Sequence, residues 1–259
     1  MSIFNVEKVT NDCVEWIVDW FEQNGKGCNA VIGISGGVDS SVVAALCVEA
    51  LGKDRVFGIK MPCGEQPDIE YANMLIKHLG IKNYTMNIWN AVTGIDDQFP
   101  ADIEISKQTT INLPPRIRMA TLYAISQSLN GRVANTCNMS ESYVGFDTRY
   151  GDSAGDFSPL ANLTKTEVIA LAKELGLPDE LAYKTPQDGL TGKSDEQNFG
   201  FSYAELDAYI RDGVEPSPGV KAKIDSMHEK NLFKLQPMPS FKYIEEDNDQ
   251  ENKNYESNN

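Results

Sequence analysis

Histidine is almost missing from this sequence: His78 and His228 are the only two, and neither stands in a recognisable motif. General-base chemistry by an imidazole is therefore not expected. Cysteine is scarce and poorly spaced. Cys13, Cys28, Cys47, Cys63 and Cys137 are odd in number and never form C-x-x-C. Neither a disulfide framework nor a structural zinc site is expected, and a reducing cytoplasm is the expected compartment. No apolar run reaches the roughly 18–20 residues that span a bilayer. The opening MSIFNVEKVTND has neither the basic nor the apolar block of a signal peptide. Positive charge is also short, with 23 Lys and Arg against 38 Asp and Glu, a net charge of −15. Such a surface repels phosphate backbones at long range, which excludes broad, salt-driven nucleic-acid binding. A local basic pocket for a phosphorylated small molecule is still open. Neither membrane nor nucleic acid is an expected partner.

What the sequence does contain is an alternation of strands and helices. Val6, Val9, Val14, Ile17, Val18 and Phe21 recur at helical spacing over 5–24, with Trp16 and Trp20 one turn apart on the edge of that face. AVIGI (30–34) reads as a buried parallel strand, followed by a helix near Ser40 to Leu51 that Gly52 stops. RVFGIKM (55–61) is a second predicted strand, PDIEYANMLIKHLG a second helix, NYTMNI (83–88) a third strand and RVANT (132–136) a fourth. Residues 94–110 are polar and weakly periodic, the pattern of a linking loop, and a long helix opened by prolines is predicted over 113–130. Capping-box patterns begin at Asn138, Thr164 and Ser202, each with Glu three residues on. The stretch 245–259 carries six acids and one lysine, so a disordered tail is expected after a single domain spanning 1–244. Together these predict an α/β fold: a doubly wound parallel sheet with helices on both faces. Ligands of such sheets bind beyond the carboxyl ends of the strands, here the loops after residues 34, 61 and 136.

The loop after the first strand is the most informative. Ser35-Gly-Gly-Val-Asp-Ser-Ser41 opens a helix, and paired glycines let bare N–H groups approach an anion. Hydroxyls and the helix N-terminus add to a phosphate cradle. The Walker lysine is absent. Asp39 would repel phosphate unless a cation intervened, and Mg²⁺ shared between Asp39 and phosphate oxygens removes that conflict. The bland alternative is a Gly-rich turn with Asp39 as N-cap.

SGGVDSS resembles the signature of the N-type ATP pyrophosphatases, which share an adenine nucleotide α-hydrolase-like fold and split ATP between its α and β phosphates. GISGGVDSS (33–41), MPCGEQPD (61–68), NLPPRIRM (112–119), SESYVGFDTRYGD (140–152), PLANLTKTEV (159–168) and SDEQNFGFSY (194–203) are, in that order, similar to the NAD synthetase family. The resemblance covers about residues 30–235.

It implies ATP-dependent amidation of deamido-NAD to NAD, through an adenylated intermediate, with release of AMP and pyrophosphate. ATP would be bound by Gly33, Ser35, Gly36, Gly37, Val38, Asp39, Ser40, Gln66, Thr136, Lys165 and Gln187. Asp39 and Glu141 would hold Mg²⁺, with Asp39 and Lys165 as the catalytic residues. Arg116, Arg118, Asp152 and Lys234 would contact deamido-NAD at the interface of a homodimer. The N-terminal helix bearing Trp16 and Trp20 and the helix over 113–130 are candidates for that surface. Read without the family, Glu141 fits a capping box, Lys165 a solvated lysine, and Arg116 and Arg118 a solvated helix face. If Lys165 serves the ligand alone, its loss is expected to spare stability.

Three strings depart from the family pattern. Gln187 and Asp188 stand where a small hydroxyl residue and alanine are usual, Phe233 replaces a histidine before Lys234, and Asn135 opens the string through Asn138. Glutamine-using members carry a further amidase domain of about 250 residues, for which this length has no room, so free ammonia is the expected nitrogen donor. The competing functions are another adenylating amidotransferase, a tRNA-thiolating enzyme and a non-catalytic adenine-nucleotide-binding module. The acidic charge and the lack of a reactive cysteine pair count against thiolation.

Overall fold

Four short strands build the sheet in the computed structural model, which describes residues 4–184 and 194–243. They are β1 (Asn29–Gly33), β2 (Val56–Lys60), β3 (Lys82–Thr85) and β4 (Gly131–Val133), all parallel, in the order β3-β2-β1-β4. Val31 pairs with both Phe57 and Val133. β1 and β2 are buried over most of their length, which is why they read as continuous apolar runs. β3 closes one edge, and all four of its residues are exposed.

Around the sheet run α1 (Val6–Asn24), α2 (Val38–Leu51), α3 (Ile69–Leu79), α4 (Trp89–Asp96) and α5 (Lys107–Ser128). The chain continues through α6 (Met139–Tyr143), α7 (Lys165–Glu174), α8 (Asp179–Ala182), α9 (Asp195–Phe199), α10 (Tyr203–Asp212) and α11 (Pro218–Leu235). Strand alternation divides the core in two. Ala30, Ile32 and Ile34 pack with Ile17 and Phe21 of α1, Val42, Val43 and Leu46 of α2, and Leu171 of α7. Val31, Phe57, Ile59 and Met61 face the other way, against Ile117, Leu122 and Ile125 of α5. A third cluster joins α6, α9, α10 and α11 through Val144, Phe199, Phe201, Leu206 and Ile224.

Several boundaries differ from the sequence reading. The predicted loop over 94–110 is shorter, because α4 runs to Asp96 and α5 starts at Lys107, where the Ser106 side chain accepts the N–H of Thr109. Pro114 and Pro115 therefore lie inside α5 instead of opening it. Each forgoes one ladder bond. Both rings are buried, and Pro115 packs so closely on Gly151 that a Cβ there would lie 3.0 Å from its own. Tertiary packing overrides the proline signal. β3 and β4 end earlier than predicted, so Thr136 lies beyond the strand, in the loop leading to α6. Of the two tryptophans on α1, Trp16 is exposed, whereas Trp20 stacks on Phe157 at 4.9 Å within the same chain. The stretch 245–259 lies outside the described residues.

The strand order places the switch point between β1 and β4. β2 and β3 lie to one side of β1 and β4 to the other, so the loops entering α2 and α6 part at the carboxyl end of the sheet.

Candidate functional site

The β1–α2 turn is shaped by Gly36. Its φ is +82°, and an added Cβ would lie 2.8 Å from both the backbone N of Ala72 and the Cβ of Tyr71. Only glycine fits. Gly37 is the N-cap of α2 and no side chain caps the helix, so its first N–H groups lack intrahelical acceptors. The cap assignment corrects the alternative in which Asp39 was the N-cap: Asp39 is the second residue of the helix, within its first turn, and its carboxylate turns elsewhere. Ser35 Oγ accepts the N–H of Gly37 at 3.2 Å, while the hydroxyls of Ser40 and Ser41 donate back to Gly37 O at 3.1 and 2.8 Å. These bonds fix the shape of the turn.

The Asp39 carboxylate meets two groups from distant parts of the chain. Lys165 Nζ, on the first residue of α7, donates to Asp39 Oδ2 at 2.6 Å and to Glu141 Oε1 at 2.8 Å. Asn138 Nδ2 donates to Asp39 Oδ1 at 2.8 Å. Lys165 is only 2% exposed, so the solvated-lysine reading fails. Glu141 settles the capping question in two halves. Asn138 caps α6 by accepting the Glu141 N–H at 3.0 Å, but the Glu141 carboxylate turns to Lys165 and leaves the reciprocal half of the box unmade. Thr164–Glu167 and Ser202–Glu205 make both halves.

Electrostatics follow from this burial. Desolvation pushes the Glu141 carboxyl up to about 7; Lys165 opposes the shift and the like charge of Asp39 adds to it. For Lys165 burial works against the charge, but Asp39 and Glu141 outweigh it and hold the ammonium above the ordinary lysine range. Tyr203, whose hydroxyl donates to Asp195 Oδ2 at 3.0 Å and stands 3.5 Å from Glu141 Oε1, is pushed up by burial and by the neighbouring carboxylates. Its ring also lies 5.1 Å from Lys165 Nζ.

The cluster rests on a further buried carboxylate. Asp207 of α10 accepts the Ser140 hydroxyl at 2.5 Å on one oxygen, and the N–H and hydroxyl of Thr166 at 2.8 and 2.6 Å on the other. Ser140 Oγ in turn accepts the N–H of Lys165 at 3.0 Å. The residues on either side of the site, Glu141 and Lys165, are thus tied together through their neighbours. Asp207, Tyr203 and Asn138's second bond escaped the sequence reading. The only signal was the clustering of Ser202, Tyr203 and Glu205 at a capping box, which says nothing of a partner some 60 residues away.

The remaining expected residues fall into two groups. Gly33 ends β1, where a Cβ would come 3.2 Å from Met61 Cε, and Thr136 is half-buried in the β4–α6 loop. Gln66 Nε2 donates to Asp68, which also pairs with Lys184. The other group gathers on the segment 145–152. Lys234 Nζ donates to the carbonyls of Gly145 and Asp147, both at 2.7 Å, and the Asp152 carboxylate accepts the Thr148 N–H at 2.6 Å. Arg116 Nε reaches Arg149 O at 3.4 Å. Arg118 Nε donates to Met61 O at 3.1 Å, and burial lowers its pKa from the ordinary arginine value, with Cys63 and Asp152 opposing the shift. Phe233 carries the guanidinium of Arg149 over its ring at 5.4 Å. Gln187 and Asp188 lie outside the described residues.

Comparison with known proteins points to one family. The NAD synthase family profile aligns with residues 9–242. An NH₃-dependent NAD⁺ synthetase of Methanococcus aeolicus is 42% identical over 212 residues, 80% of this chain and 82% of its own. Among solved structures, an NMN synthetase from Francisella tularensis superposes with a TM-score of 0.85 at 31% identity, covering 93% of this chain and 100% of its own. An NH₃-dependent NAD synthetase from Campylobacter jejuni, in complex with nitrate ion, gives 0.75 at 30% identity with the same coverage. With the profile spanning nearly all described residues, the chain belongs to the NAD synthase family.

Proposed function

We propose that this chain amidates deamido-NAD to NAD with ammonia and ATP, releasing AMP and pyrophosphate. The observation that carries the proposal is Lys165 held between Asp39 and Glu141 beside the uncapped N-terminus of α2. A carboxylate is a poor electrophile, and its oxygen is a very poor leaving group. Transfer of AMP to the nicotinate carboxylate forms a mixed anhydride and releases pyrophosphate; ammonia then attacks the carbonyl carbon and AMP departs. The protein's work is to position two nucleotides and neutralise charge as pyrophosphate leaves. The N–H groups of the Ser35–Ser40 turn and the first turn of α2 suit the phosphates. Lys165 supplies fixed positive charge beside them.

The donor set also fits Mg²⁺. Asp39 and Glu141 offer hard carboxylate oxygens that converge on a point already held by a cation, the Lys165 ammonium. Among the described residues no group of three or more His, Cys, Asp or Glu side chains is placed to hold a metal ion by itself. That suits an ion bound by one or two carboxylates together with substrate phosphates. When bound, it would offset the charge of the triphosphate. The segment 145–152, gathered by Lys234, Asp152 and Arg116, is the surface we assign to deamido-NAD. A homodimer in the cytoplasm completes the proposal. The exposed Trp16 supports the former and the five free cysteines the latter, and no helix of the described residues is long and apolar enough to cross a membrane.

The likeness to the Francisella NMN synthetase favours a second reading, in which the acceptor is the mononucleotide acid. Incubating the protein with ATP, Mg²⁺ and ammonium plus either acceptor, and separating the products by chromatography, decides between them. NAD with AMP and pyrophosphate is the expected outcome. ADP as product would overturn the mechanism; ATP turnover independent of any acceptor would point to a different enzyme, and no turnover with either acceptor to a non-catalytic module. Asp39→Asn should lower turnover by at least about tenfold, the factor for one lost contact of ~1.4 kcal/mol. Sedimentation at twice the chain mass is expected.

A further inference from the structure

Asn138 is fully buried, yet the chemistry just described gives its amide nothing to do. Both ends of that amide are engaged. Oδ1 accepts the Glu141 N–H at 3.0 Å, and Nδ2 donates to Asp39 Oδ1 at 2.8 Å. Only this orientation satisfies both partners, because a carboxylate accepts and a backbone N–H donates. Asp39 Oδ2 is taken by Lys165, so each Asp39 oxygen has its own donor and the carboxylate cannot rotate without losing one. Helix capping alone would be served about equally by Asn, Asp or Ser. Asp would turn a carboxylate on Asp39, and Ser would not span the distance.

We propose that Asn138 is a positioning residue that locks the Asp39 carboxylate relative to the helix carrying Glu141, fixing the spacing of the two acidic groups on either side of Lys165. The same amide that starts α6 thereby sets the site's geometry. The proposal rests on the amidation reading for its effect on turnover, but the bond itself can be tested without it.

Two measurements test it on the full chain. In the ligand-free protein, a double-mutant cycle of Asn138→Ser with Asp39→Ala, read by urea unfolding, should show a coupling factor of about five or more in the unfolding constant. A factor near one overturns the proposal, whatever the reaction is. In turnover with ATP, Mg²⁺, ammonium and deamido-NAD, kcat should fall in the order Asn138, Asn138→Ser, Asn138→Asp. The Asp variant should lose about tenfold or more, and both variants should need more Mg²⁺ for half-maximal rate. Equal kcat and equal Mg²⁺ dependence in Ser and Asp variants, the result for a mere cap, would also overturn it. The unsubstituted chain's own NAD formation, measured first, tests the amidation reading separately.

Discussion

Lys165 Nζ lies 2.6 Å from Asp39 Oδ2, joining the first turn of α7 to the first turn of α2 across 126 residues of chain. The same ammonium reaches Glu141, so three charges share a site with little access to water. Without the lysine, two carboxylates would face each other in a medium that screens them poorly.

Lys165 therefore bears on stability as well as on the ligand, contrary to the expectation that its loss would spare the fold. Lys165→Met should destabilise the ligand-free protein by about 3 kcal/mol, the usual cost of stripping a buried ion pair of one partner. Millimolar Mg²⁺ should restore part of that loss in the variant and much less in the parent, since a cation then returns to the carboxylates. Urea unfolding with and without Mg²⁺ gives both numbers. A variant as stable as the parent in chelator would refute the idea.

Gly36→Ala should cost more than a methyl group ordinarily does. The left-handed φ and the approach to the Ala72 backbone both resist it, so a loss of about 2 kcal/mol or more is expected, together with weakened ATP binding. Calorimetric titration with ATP and Mg²⁺, alongside thermal unfolding, checks the pair. Gly94→Ala is the control, since nothing lies within 4 Å of a Cβ there.

Asp207→Ala removes the acceptor for three donors at once, the N–H and hydroxyl of Thr166 and the hydroxyl of Ser140. Ser140 is buried, so leaving its hydroxyl without this acceptor should cost about 1–3 kcal/mol, while the exposed Thr166 can turn to water. Asp207→Asn keeps two of the three and should lose less. Turnover of the Asn variant should drop even where it remains folded, because Ser140 holds the Lys165 N–H.

Asp152 gives the pH prediction. Burial raises its carboxyl above the ordinary 3.8, the Thr148 N–H partly opposes this, and Asp147 adds to it. A raised acid binds its proton more tightly when folded, so the native state holds more protons than the unfolded one between the two pKa values. Its contribution to stability is therefore most favourable below 3.8 and declines as pH rises through the folded value. Asp152→Asn, which still accepts from Thr148 but does not ionise, should gain on the parent as pH rises from about 4. Unfolding free energies measured from pH 3 to 7 test the sign. A parent that gains on the variant over that range would reverse it.

Local patterns in the sequence carried the strand–helix alternation, the glycine turn and the caps at Thr164 and Ser202, because strand periodicity, positive φ and first-turn hydrogen bonds depend on residues only a few positions apart. The loop motif and its resemblances also named Asp39, Glu141 and Lys165. Their arrangement needed the folded chain. Whether Glu141 closes its own capping box or turns to Lys165, and whether Lys165 is solvated or buried, depends on α6 and α7 meeting α2 at the switch point. The prolines of α5 show the same limit: a signal for a helix start yielded to the packing of both rings. Asn138, Tyr203 and Asp207 draw their roles from partners 62 to 99 residues away, and contacts at that separation are set by the order of strands in the sheet, which no local pattern encodes.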